Sequence, residues 1–102
     1  MSTIMVVVEH RLDPKEAIRR IKEAYMGKKA KYASIATVQT EEWEDLAGAV
    51  TASVLGTTIT GTVQCQEETV TAVCELPLPL KVIFGRDLHE KIENRLTSLL
   101  SK

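Results

Sequence analysis

Cys65, Cys74, His10 and His89 are the side chains of this 102-residue chain with the chemistry of a nucleophile, a general base or a soft metal ligand. A nucleophilic site needs a base within hydrogen-bond reach and a third group to orient that base. His10 falls at the end of the first apolar run and His89 in the first turn of the last helical segment, while both cysteines take core-facing strand positions. No such group converges. The chain has no Cys-x-x-Cys or His-x-x-x-His spacing, and His89 followed one turn later by Glu93 reads as an exposed helix pair rather than half of a metal site. Catalytic, cofactor-binding and metal-ligating residues are therefore expected to be absent.

Glu41, Glu42, Glu44 and Asp45 cluster around Trp43 and invite a reading as paired carboxylates. On a strand, however, Glu42 and Glu44 share one face and Trp43 takes the other, which describes a solvated strand end with one buried aromatic. Gly56 and Gly61 lack the spacing of a phosphate-cradling loop and are explained by turn geometry and close packing. The stretch from Lys15 to Lys31 carries seven basic residues against Glu16 and Glu23. Arg19, Arg20, Lys22, Lys28 and Lys29 form a candidate basic patch there, for which a solvated helix side is the commoner meaning.

Thirteen basic and fourteen acidic residues leave a formal charge of −1, so the whole chain exerts no pull on nucleic acid, and four per cent aromatics leave little for base stacking. The 44% apolar and 26% charged composition is that of a globular protein, and the length suits a single domain over residues 1–102. The five-residue apolar run Ile4 to Val8 is too short for a signal peptide or membrane span. These features predict a cytoplasmic protein without a transmembrane segment.

The elements that would position these residues follow from the apolar periods. Ile4 to His10 reads as a first strand. Asp13-Pro14-Lys15-Glu16 supplies an N-cap, a first-position proline and a capping-box glutamate, and Ala17, Ile18, Ile21, Ala24 and Tyr25 continue an amphipathic helix that Gly27 either ends or weakens. A period of two then predicts strands near Ala36 to Trp43, Ala47 to Leu55, Thr58 to Cys65 and Thr69 to Leu76. With Gly56-Thr57 and Glu67-Glu68 as two-residue turns, Val54 faces Ile59, Ala52 faces Gly61, Val63 faces Ala72 and Gly61 faces Cys74. The apolar and small residues then share one face and Thr58, Thr60 and Thr62 the other. That register separates the cysteines beyond disulfide reach and makes them buried thiols. Leu76 to Phe84 reads as an apolar connector whose prolines exclude a central strand, and Asp87 with Glu90 caps a final helix along Leu88, Ile92, Leu96, Leu99 and Leu100. The expected fold is α+β: an antiparallel sheet of about five strands with two amphipathic helices on one face, in the order β-α-β-β-β-β-α.

Leu12 to Ile21, Thr37-Val38-Gln39-Thr40-Glu41-Glu42-Trp43, Leu55 to Val63, Glu75-Leu76-Pro77 and Glu90-Lys91-Ile92, in that order and spacing, resemble the polyhydroxyalkanoic acid system family, small bacterial proteins associated with genes for storage-polyester granules. The chain departs from the family pattern between Leu78 and Leu88, where extra residues and Pro79 intervene. The resemblance implies a bacterial cytoplasmic setting and association with granules or granule proteins. It transfers no catalytic residues.

The leading expectation is a non-enzymatic accessory protein of storage-polyester metabolism that meets granules through apolar surface, with Leu78, Leu80, Val82, Ile83 and Phe84 as the candidate interface. An alternative is a carrier with a cavity between sheet and helices, motivated by the small core-row residues Ala52, Gly61 and Cys74. A third is a self-associating module whose homodimer buries the last helix.

Overall fold

The structure is a computed structural model that describes the backbone of residues 2–101 and the side chains of residues 3–77 and 87–101. Strand β1 (Ser2–Glu9) is followed by helix α1 (Pro14–Lys31), strands β2 (Ala36–Trp43), β3 (Ala47–Val54), β4 (Thr57–Cys65) and β5 (Thr69–Leu76), and helix α2 (Leu78–Leu99). All strand pairs are antiparallel and the spatial order is β1-β5-β4-β3-β2. The expected α+β class and element order hold. The chain's first strand pairs with its last, closing β1 against β5.

Helix α1 begins as its sequence dictates: the Asp13 carboxylate accepts from the Lys15 backbone N–H at 2.8 Å and Pro14 occupies the first turn. It runs through Gly27 to Lys31, where Lys28, Lys29 and Lys31 sit in the last turn and complement the helix dipole. Helix α2 starts earlier than its capping signals suggested. Pro77 caps it in extended geometry, φ −61° and ψ 151°, and Pro79 lies in its first turn. The two prolines that exclude a strand suit a helix start, because first-turn N–H groups have no intrahelical partner to lose. The segment 78–84 is therefore helix rather than connector, and Asp87 is interior to α2. The candidate interface side chains Leu78, Leu80, Val82, Ile83 and Phe84 lie outside the described side chains.

Both helices contact the strand face carrying Ile4, Val6, Val8, Cys65, Val70 and Leu76, and that face forms the core with Ala17, Ile18, Ile21, Leu96 and Leu100. Each fully buried aliphatic side chain contributes about 1.5–3 kcal/mol, so this cluster is what holds the fold together. Register between β4 and β5 matches expectation, with Gly61 opposite Cys74 and Val63 opposite Ala72. Between β3 and β4 it differs by two residues: Val54 faces Thr57 and Ala52 faces Ile59. The turn residues are Leu55 and Gly56, both at positive φ (51° and 81°), as a type I′ hairpin with glycine in its second position requires. A two-residue shift preserves strand parity, so the predicted faces survive the error in register.

Candidate functional site

The described helix side chains do not cover the whole of the core face. Over β3 and β4, the described side chains leave an open apolar groove of about 320 Å³, floored by Ala52, Gly61 and Cys74 and walled by Val50, Val54, Ile59, Tyr25, Trp43 and Ile92. All of these residues are partly exposed. Its volume is at the lower end of ligand sites, about 300–1,000 Å³. Its floor is recessed because three adjacent strands each place a small side chain there, Ala52, Gly61 and Cys74, between the larger Val50, Val54 and Ile59.

A β-bulge builds one end of the groove. Pairing between β2 and β3 shifts between Val38 and Thr40, so Val38 opposes Ala52 but Glu41 opposes Val50 and Trp43 opposes Gly48. The extra residue changes which parity faces the helices, and thereby turns Glu41 and Trp43 toward α1. The Tyr25 hydroxyl donates to Glu41 Oε1 at 2.7 Å, and Lys29 Nζ donates to the same oxygen at 3.1 Å. The Tyr25 and Trp43 rings meet with centroids 5.7 Å apart, and Lys22 Nζ lies 5.6 Å from the Trp43 ring centre. Gly48 makes room for the indole: a β-carbon there would lie 2.5 Å from two of its ring carbons.

The electrostatics follow from this packing. Tyr25 is pushed up to about 12, first by burial and then by the Glu41 carboxylate it donates to. Glu41 is held below the usual carboxylate range, principally by the Tyr25 hydroxyl and then by Lys29. The buried Trp43 Nε1 has no hydrogen-bond partner among the described residues. At the groove floor, Cys74 is raised by burial and by neighbouring Glu75, and burial pushes Cys65 in the core up to about 11. Thiols shifted in this direction supply little thiolate at neutral pH. Both cysteines are free.

Each remaining candidate has a placement that the fold explains. His10 is buried and held at both ring nitrogens: Nε2 lies 2.8 Å from the Gln66 carbonyl and Nδ1 accepts from the Leu12 N–H at 3.1 Å. These partners assign the proton to Nε2. His89 Nδ1 and Glu93 Oε2 are 4.0 Å apart on an exposed helix side. Glu42 and Glu44 are exposed and stand apart from Glu41. The basic residues of α1 do not gather at one point. Arg19 pairs with Glu16 and Glu23, Arg20 donates to the Leu99 and Ser101 carbonyls at the end of α2, Lys28 lies over the Tyr32 ring, and Lys22 and Lys29 stand at the aromatic end of the groove. Arg19 holds Glu16 down to about 2.

Of the groove residues, Ala52, Gly61 and Cys74 were marked by their small size in one row of the sheet. The Tyr25, Glu41 and Lys29 cluster was not. Its sequence trace is the spacing of Lys22, Tyr25 and Lys29 on one helix stripe, while the bulge that delivers Glu41 has no comparable mark.

Among the described residues no helix is long and apolar enough to cross a membrane, and no group of three or more histidine, cysteine or acidic side chains is placed to hold a metal ion. Comparison with curated proteins and with solved structures finds no match. A family model described as "Putative polyhydroxyalkanoic acid system protein" matches residues 4–100, nearly the whole chain, and the protein belongs to that family.

Proposed function

We propose that this protein is a non-enzymatic accessory component of storage-polyester metabolism that associates in the cytoplasm with polyester granules, or with proteins on them, through apolar surface. The observation that carries the reading is the open groove over β3 and β4: half-exposed apolar side chains gathered in one concave surface mark an interaction site, where scattered ones would not. Family membership supplies the polyester setting. The apolar run 78–84 at the start of α2 is proposed, on composition, as a second contact.

The non-enzymatic part of the reading is supported by the commitments of the reactive side chains. His10 is bonded at both nitrogens to backbone, Glu41 is engaged by Tyr25 and Lys29, and the two thiols are disfavoured as thiolates. A nucleophile needs a free base beside it.

A second reading, a carrier of a small hydrophobic ligand, is favoured by the concavity of the Ala52, Gly61 and Cys74 floor. The test is co-sedimentation of purified protein with native polyester granules. Wild type is compared with a folded Val54→Ser, Ile59→Ser variant and with a Met5→Ser, Val7→Ser variant. Met5 and Val7, 58% and 54% exposed, lie on the opposite sheet face. The granule reading expects wild type and the opposite-face variant to sediment and the groove variant to stay in solution. Wild type that remains in solution, and labelled protein that stays diffuse in granule-containing cells, would overturn it.

A further inference from the structure

The groove has a charged continuation on the other side of Ile92. A cleft between α1 and α2 is lined by Lys28, Lys91, Ile92, Arg95 and Leu96, so the Ile92 side chain is a wall common to the cleft and the groove. Three of those residues are cationic, and no carboxylate lines the cleft among the described residues. None of the three makes a described ion pair. Lys28 instead lies 5.8 Å from the Tyr32 ring centre, and Lys91 also borders Asp87 and Glu90 on the far side of α2. The lysines of α1 that do meet an acid or an indole, Lys29 and Lys22, stand beside Glu41 and Trp43 instead.

We propose that this site binds a single aliphatic chain ending in a carboxylate, with the chain over Ala52, Gly61 and Cys74 and the carboxylate at Lys28, Lys91 and Arg95. The proposal rests on the reading of the groove as the working surface, and deepens it by naming the ligand. An apolar cavity alone takes any greasy chain. An adjoining cluster of cations without acidic partners among the described residues favours one that carries negative charge at its end, because arginine and lysine recognise carboxylate through charge-assisted hydrogen bonds. The carboxylate keeps part of its hydration there, since Lys91 and Arg95 are exposed, while the chain leaves water.

Trp43 is the chain's one tryptophan and stands in the groove wall, so its fluorescence reads occupancy directly. The experiment titrates the full chain with decanoate and with decan-1-ol, both below the concentration at which decanoate self-associates, and repeats both titrations on a Lys91→Ala, Arg95→Ala variant whose fold is checked by urea unfolding. Both positions are exposed. The expected result is saturable binding of decanoate that weakens about tenfold in the variant, since it loses two exposed, solvent-screened ion contacts, and decanol binding that the variant leaves unchanged. Equal decanoate binding by wild type and variant would overturn the assignment of the head group. Failure of decanoate to bind, with wild type still sedimenting with granules, would overturn the proposal and leave the granule reading standing. Saturable decanoate binding without sedimentation would do the reverse.

Discussion

The two halves of one sheet face differ in how they are finished. Over β1 and the two ends of β5 the face is sealed, leaving Val6, Val70 and Leu76 at most 2% exposed. Over β3 and β4 the same face is apolar but half-exposed, and Val50, Ala52, Val54 and Ile59 form an open groove. The two halves do not differ in polarity: the open one has the small residues Ala52 and Gly61 at its centre, among side chains as large as those of the sealed half. Stability therefore resides in the first half, and the second is free to be used for contact.

The comparison predicts a wide gap between truncations in the two halves. Leu76→Ala should cost about 2–5 kcal/mol, since it opens a cavity in packed core, whereas Ile59→Ala, already facing an open groove, should cost less than half as much. Urea denaturation of both variants checks this, and equal losses would mean that the groove is closed in solution.

Gly48→Ala tests whether the aromatic end of the groove is tightly built. The added methyl must displace the rigid Trp43 indole, for an overpacking cost of about 1–3 kcal/mol. The tryptophan emission should shift with it, and an unchanged spectrum would mean that the ring has other room.

Leu55→Asn sharpens the comparison from the turn that joins the two open strands. Leu55 is 74% exposed and held at φ 51°, a conformation costing a residue with a β-carbon about 1–2 kcal/mol. Asparagine tolerates it far better, so the variant should be more stable by about 1 kcal/mol, read as a raised denaturation midpoint. A loss would place the leucine in a contact of its own.

The smallest expected effect is on pH dependence at the groove end. Glu41 has a folded-state value below its ordinary 4.5, so its contribution to stability is complete above the unfolded value and is lost as pH falls through the depressed one. Glu41→Gln should remove that part of the acid-side loss. The same variant should bring the Tyr25 ionisation down from about 12, though not to 10, because burial is the larger cause. The phenolate absorbance reports this, and a Tyr25 midpoint unmoved by the substitution would show that the hydrogen bond is not made in solution. Tyr25 carries the opposite sign: its raised value stabilises the fold below about 10 and that stabilisation is lost as pH climbs toward 12.

Much of this arrangement was legible in the sequence where the signal is local. Asp13 and Pro14 mark the start of α1, and alternation along β2 to β5 separates the threonine row from the apolar row. The register of β4 against β5 follows from pairing like with like. The turn at Leu55-Gly56 was readable in principle, since glycine belongs in the second position of a type I′ loop. The start of α2 was readable too, since a proline pair before a long apolar stretch suits a helix N-terminus as well as it excludes a strand. Both were missed because two rules competed over the same residues.

What the sequence determined by itself was therefore the order of the elements, their faces and the burial of Cys65, though not of Cys74, which is partly exposed in the groove, because period and capping act over a few residues and are carried by side-chain type. The tertiary structure decided the rest: that β1 closes against β5, that the β2 bulge turns Glu41 to meet Tyr25 and Lys29, and that Ala52, Gly61 and Cys74 are left partly exposed. Those outcomes depend on which surfaces pack best across distant segments, and a small side chain has the same identity whether a helix covers it or leaves it open.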